Sequence, residues 1–217
     1  MTAVAIDGPA GAGKSTVARA VAGSLGWRYV DSGAMYRAIA LAVIERGADP
    51  ADADAVGEVA EAAQVDVDGR VVRLDGRDVS ARIRERDVTR IVSQISAHPR
   101  VRGALLDKQR AFATGGNVVM EGRDIGTVVF PDAEVKVYLT ASVEERARRR
   151  AQELGLDGDE TTLTQMARAL SERDTADATR DLSPLAQAPG AHVLDTTGLS
   201  LEDVVSRICA LAGAAAR

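Results

Sequence analysis

The chain has 217 residues, 46% of them apolar, enough to bury a substantial core as one large α/β domain or as a core with a small insert. Its net charge of −5 argues against a general nucleic-acid or membrane binder, and sparse aromatics (3%) weaken any RNA-binding reading further. The single cysteine, Cys209, excludes an intramolecular disulfide and a cysteine-based metal site, while the absence of a signal-like or bilayer-length apolar run sets the cytoplasm as the expected compartment.

Thr2 to Ile6 reads as a short buried strand. It leads into Gly8-Pro9-Ala10-Gly11-Ala12-Gly13-Lys14-Ser15, which matches the phosphate-loop pattern G-x-x-x-x-G-K-[ST] at every fixed position. Ser15 to Leu25 follows with helical spacing of Val17, Ala18, Val21, Ala22 and Leu25. Strand, glycine loop and helix thus come in the order that aims backbone N–H groups and a helix N-terminus at one anion. Residues Gly8 to Thr16 are the expected ATP cradle. Lys14 can then reach the β- and γ-phosphates, and the Ser15 hydroxyl can ligate Mg²⁺. A chance glycine turn would not bring this strand and helix with it.

Trp27 to Val30 reads as a second strand ending at Asp31-Ser32-Gly33, and a helix from about Ala34 to Arg46 follows. Residues 51–63 are Ala-rich and helical. Val65-Asp66-Val67, Val71 to Leu74 and Asp78-Val79 are short β-prone runs separated by Asp68-Gly69 and Asp75-Gly76, the signature of tight hairpins. This three-stranded antiparallel meander interrupts the β–α alternation, so residues 52–97 are expected to form an inserted α+β subdomain. Helices are predicted over Ser80 to Ala97 and Pro99 to Ala113, and strands over Asn117 to Glu121 and Val135 to Leu139. Ser142 and Glu145 form a capping box opening a charged helix to about Leu154. Residues 155–159 are a polar break and candidate lid hinge; a helix over about Thr162 to Arg173, a strand at His192 to Leu194 and a helix over Ser200 to Ala212 complete the pattern. Cys209, among Val205, Ile208 and Leu211, is expected to be a buried packing residue.

Five strands alternating with helices imply an α/β fold: a five-stranded, mostly parallel sheet with helices on both faces. Ligands of such sheets sit at the carboxyl ends of the strands, so the loops at Gly8–Ser15, Asp31–Gly33 and Glu121–Asp124 should converge. The lysines are only Lys14, Lys108 and Lys136, so nearly all positive charge is arginine. Arg37 and Arg123 lie next to strand ends, Arg146, Arg148, Arg149 and Arg150 flank the break, and Arg173 and Arg180 bracket the end of the next helix. Moving a phosphoryl group between two anions needs such always-charged, bidentate groups. A switch-type protein would need Asn-Lys-x-Asp, which is missing.

Four motifs carry a resemblance that runs from residue 1 to about 210. They are Ile6 to Ser15, Asp31-Ser32-Gly33-Ala34-Met35-Tyr36-Arg37, Glu121-Gly122-Arg123-Asp124-Ile125-Gly126-Thr127-Val128-Val129, and Glu172-Arg173-Asp174 with Asp177 and Arg180. On these the chain resembles the bacterial cytidylate kinases, within the nucleoside monophosphate kinase family of P-loop proteins. The resemblance implies ATP-dependent phosphorylation of CMP and dCMP with Mg²⁺. It also implies that residues 52–97 are the enlarged monophosphate-binding region, beside a lid over 146–175. Ser32, Arg37 and Arg123 would hold the acceptor phosphate, Ser93, Arg102 and Asp124 the cytosine edge, and Arg173, Asp177 and Arg180 the pentose and, through Arg180, the phosphate. Lys14, Arg37, Arg123 and Arg180 would be the catalytic cations. The base assignment is chemically coherent: cytosine's exocyclic amine donates to an aspartate and its N3 and O2 accept from an arginine. The family often has Asp where this chain has Glu121. The second Mg²⁺ contact, through Asp31, Glu121 or Asp124, stays open, as does the choice of lid arginine. The expected partners are ATP, CMP and dCMP, bound by a monomer. Kinases of AMP, UMP or shikimate are the nearest rivals, and a nucleotide switch without turnover is the rival from another class.

Overall fold

The computed structural model describes residues 2–156 and 159–215. The chain divides into two compact units, one of Arg28–Val118 and one of Thr2–Trp27 with Val119–Arg217. The main sheet has five strands in the order β2-β6-β1-β7-β8, where β1 is Ala3–Asp7, β2 Arg28–Asp31, β6 Val118–Gly122, β7 Val135–Thr140 and β8 His192–Asp195. The remaining strands, β3 (Val65–Asp68), β4 (Val71–Leu74) and β5 (Arg77–Asp78), form a separate antiparallel meander.

In the unit that carries the phosphate loop, β1 is buried at all five residues, as a central parallel strand covered on both faces must be. It pairs in parallel with β7, Val4 facing Val135 and Asp7 facing Tyr138, and β7 pairs in parallel with β8. Helix α1 (Lys14–Leu25) stops at Gly26, whose φ of 67° supplies the left-handed turn that frees the chain to enter a new strand. Half of the expected capping box is present at the start of α6 (Val143–Glu153): the Ser142 hydroxyl accepts from the Glu145 N–H at 3.2 Å, but the Ser142 N–H donates to the Thr197 hydroxyl and the Glu145 carboxylate pairs with Arg148 and Arg149. Helix α7 (Glu160–Thr179), capped by Asp159, is longer at both ends than expected, and α8 (Leu201–Ala215) closes the chain. Residues 157 and 158 of the anticipated hinge lie outside the described residues. Cys209 is half-buried rather than buried, because it sits to one side of the buried stripe of α8 formed by Val204, Ile208 and Ala212.

The other unit is built around α2 (Ser32–Glu45). The sequence suggests one apolar face, but ten of its residues are buried, the pattern of a helix wrapped on nearly all sides. Its core partners include Val56, Leu74, Ile83, Val92, Ile95 and Leu105, from α3 (Ala53–Ala62), the meander, the 3₁₀ turn Arg82–Arg84, α4 (Arg86–Ile95) and α5 (Pro99–Ala111). The meander has the expected pairing, with Val65 opposite Leu74 and Arg73 opposite Asp78. Asp75 and Gly76 both have positive φ (50° and 79°), the geometry that selects Asp-Gly in a two-residue hairpin. The helix expected over 80–97 is instead a 3₁₀ turn at Arg82–Arg84 followed by α4. The break falls at Glu85, whose extended backbone (ψ 163°) cannot continue a helix.

Candidate active site

The phosphate loop is held by backbone constraints that its glycines satisfy. A Cβ on Gly8 would lie 1.9 Å from the Leu139 carbonyl oxygen, so only glycine lets the loop pass this close to β7. Gly13 caps α1 from the left-handed region at φ 86°. Lys14 is buried and donates through Nζ to the Pro9 carbonyl at 2.8 Å. Burial pushes its ammonium well below the usual lysine range, with Arg123 and Arg173 pushing the same way and Glu121 and Asp7 opposing them. The Ser15 hydroxyl donates to Glu121 Oε1, so the loops at Gly8–Ser15 and Glu121–Asp124 do converge.

Ala10 is fastened from both sides. Its N–H donates to Asp174 Oδ1 at 3.0 Å and its carbonyl accepts from Arg146 Nη1 at 2.9 Å, while Arg146 and Asp174 pair with each other. Arg146 is therefore a buried structural cation joining α6, α7 and the phosphate loop. Arg148 and Arg150 pair locally with Glu145 and Glu153. Arg149 pairs with Glu145 and donates to the Thr196 hydroxyl and carbonyl.

Past β6 the chain makes a single π-turn, Ile125–Val129, with i to i+5 bonds from the Val129 and Phe130 N–H groups. Asp7, buried at the end of β1, accepts from the Ile125 N–H at 2.8 Å and the Gly126 N–H at 2.7 Å. Its carboxyl is pushed up to about 6: burial raises it, the two backbone bonds lower it, and the Asp124 charge raises it again. Arg123 donates through Nε to buried Asp177 at 2.9 Å. Arg180, at the end of α7, donates to the Ser183 carbonyl. The buried Nε of Arg173 has no hydrogen-bond partner, and burial, then Arg123, lowers the pKa of this guanidinium. Lys14, Arg123 and Arg173 thus concentrate positive charge at one end of the sheet.

A cavity of 470 Å³ opens beside the loop, lined by Gly11, Gly13, Thr16, Arg149, Thr196 and Leu201 among others. Thr196, Leu199 and Leu201 carry no sequence signal, because their place in the lining comes from the connection after β8 and from α8, which packs against α1. Among the described residues no group of three His, Cys, Asp or Glu gathers to cage a metal. Mg²⁺ needs none: it binds through one or two protein oxygens and completes its shell with phosphates and water. The Ser15 and Glu121 oxygens fit that demand.

The remaining expected residues lie in the unit built on α2. Asp31 caps that helix, accepting from the Ala34 N–H at 2.9 Å, and pairs with Arg84 at 3.5 Å. Ser32, its first residue, is buried. Arg37 Nη1 donates to the Ile83 carbonyl (3.1 Å) and the Thr89 hydroxyl (2.8 Å). Thr89 and Ser93 are four apart on α4 and so share a face. Arg102 is buried, with its guanidinium 5.4 Å from the Tyr36 ring centre and a bond to the Ser96 carbonyl. No motif marks the Thr89 hydroxyl, so its contact with Arg37 could not be read from the sequence.

Residues 4–214 match the family model described as cytidylate kinase. The chain belongs to the cytidylate kinase family. It is 50% identical over 205 residues to the cytidylate kinase of Caldanaerobacter subterraneus subsp. tengcongensis, covering 94% of this chain and 92% of that one. It is 49% identical over 219 residues to the cytidylate kinase of Pelotomaculum thermopropionicum, covering 99% and 97%. An uncharacterized protein from Eubacterium ventriosum, at 12% identity and a TM-score of 0.50 with 96% of each chain covered, shares the fold alone. The sheet flanked by helices is the architecture that the cytidylate kinase resemblance implies.

Proposed function

We propose that this chain transfers the γ-phosphoryl group of ATP to the 5′-phosphate of CMP and dCMP. The observation that carries this reading is the gathering of buried Lys14, Arg123 and the unpartnered Arg173 Nε at the phosphate loop, which calls for a polyanion; burial first, then Arg123 and Arg173, lowers the Lys14 ammonium. Lys14 rests on the Pro9 carbonyl and exchanges it for the β- and γ-phosphate oxygens when ATP binds. Gly8 to Thr16 supply the backbone cradle, and the cavity beside Arg149 and Thr196 takes the donor nucleoside. Mg²⁺, held through Ser15 with Glu121 beside it, would offset charge on the β- and γ-oxygens.

On the acceptor side, Ser32, Arg37, Arg123 and Arg180 hold the monophosphate. Ser93, Arg102 and Asp124 read cytosine, and Arg173 and Asp177 hold the pentose. The acceptor is already an anion, so no general base is needed, and catalysis is positioning plus electrostatics. In this reading residues 52–97 are the monophosphate-binding insert, 146–175 the lid, and the active species is a monomer.

A coupled assay with ATP and each nucleoside monophosphate tests this. CMP and dCMP should turn over, with UMP poorer by about ten- to hundredfold, the worth of one charge-assisted hydrogen bond. UMP or AMP outperforming CMP would overturn the base assignment.

A further inference from the structure

We propose that Asp7 is a positioning residue for base discrimination: by capping the turn that Asp124 begins, it keeps the Asp124 carboxylate from being spent on its own backbone. An aspartate at the position preceding a helical turn ordinarily accepts from the second or third N–H of that turn, here Gly126 or Thr127. Asp124 occupies that position in front of Ile125–Val129 and makes no such bond. The first two N–H groups, of Ile125 and Gly126, are taken instead by the two oxygens of Asp7, from the neighbouring strand β1. Both carboxylates are buried, and they lie near enough for the Asp124 charge to act on Asp7. The Gly126 N–H is the donor that both acidic side chains could take, and Asp7 holds it together with the Ile125 N–H. Gly126 permits the contact, since a Cβ there would stand 3.4 Å from Asp7 Oδ2 and 3.2 Å from the Ala188 Cβ. Asp7 is also the residue before Gly8, so the strand that sets the phosphate loop sets the base-reading turn as well.

This inference rests on the reading that Asp124 accepts from the cytosine amine. Its test measures kcat/KM for CMP and for UMP, with ATP affinity measured separately, in the parent chain, Asp124→Asn and Asp7→Asn. An asparagine at position 7 can accept from only one of the two N–H groups and turns a donor toward the other, which releases that donor to Asp124. The preference for CMP over UMP should fall about tenfold or more in Asp7→Asn, through a raised KM for CMP, with ATP affinity within about threefold of the parent. Equal slowing of both substrates, or an unchanged preference, would overturn the inference provided Asp124→Asn abolishes the preference. A preference that survives Asp124→Asn overturns the base reading itself. If Asp7→Asn does not fold, Gly126→Ala tests the same contact with both carboxylates retained, and the same loss of preference is expected.

Discussion

Arg37 is bonded to Ile83 and Thr89, so its guanidinium is held in place before any acceptor arrives. Arg37→Ala should leave ATP affinity nearly unchanged and lower the transfer rate by about 10³-fold or more, read by separating equilibrium ATP binding from single-turnover transfer. A switch without turnover would have no transfer to lose. Asp7 makes a second prediction. Its folded-state pKa of about 6 lies above the ordinary 3.8, so the folded chain binds its proton more tightly than the unfolded chain does. Its share of stability is therefore fully present below about pH 4 and is lost as pH rises to about 6, by about 3 kcal/mol at most. Asp7→Asn lacks this dependence, so the melting temperature of the parent minus that of the variant should fall across pH 4 to 6 and level off above it. At this scale the sequence was most legible for the backbone of the phosphate loop, where Gly8 and Gly13 take the conformations that contiguous residues call for. It was least legible for Arg146 and Arg148 to Arg150, where four similar arginines have different fates. Arg146 is buried against Ala10 and Asp174, Arg149 reaches Thr196, and Arg148 and Arg150 pair within α6. Distant partners decide that, and spacing cannot reveal them.

Helices α6 and α7 reach the phosphate loop through the Arg146–Asp174 pair, so these elements are fastened at their root. Breaking a buried pair leaves one charge uncompensated and costs about 3 kcal/mol. Asp174→Asn should lower chemical-denaturation stability by roughly that amount, and Arg148→Ala, which breaks a pair on an exposed side chain, should change it by less than about 0.5 kcal/mol. Elements with local signatures were read well: the Ser142 N-cap, the Asp75-Gly76 hairpin and the β1–loop–α1 unit need only neighbouring residues, whereas the return bond from Glu145 is lost to Arg148 and Arg149. The π-turn at Ile125–Val129 was not anticipated, because what holds its first N–H groups is Asp7, 118 and 119 positions away in sequence. The split between the 3₁₀ turn and α4 was missed for a related reason. Arg82 bonds Asp87 in a bidentate pair across Glu85, and the propensity of either segment alone gives no sign of it.

The two compact units divide the expected residues, with the phosphate loop in one and Ser32, Arg37, Ser93 and Arg102 in the other. Ligand that binds only the folded chain stabilises it by mass action, about 2.7 kcal/mol at a hundred times its Kd. ATP should therefore raise the melting temperature by several degrees, and Lys14→Ala should abolish that shift. No helix among the described residues is long and apolar enough to cross a membrane. The sheet ends at β8, a strand of only four residues in which His192, Val193 and Asp195 are exposed, Val193 by 55%. A short rim with charge at its end discourages one molecule from adding its rim to another's. Val193 is the one exposed apolar residue on it, so shelf life at high concentration should be governed there: Val193→Lys should raise the concentration at which the purified enzyme begins to precipitate without slowing turnover.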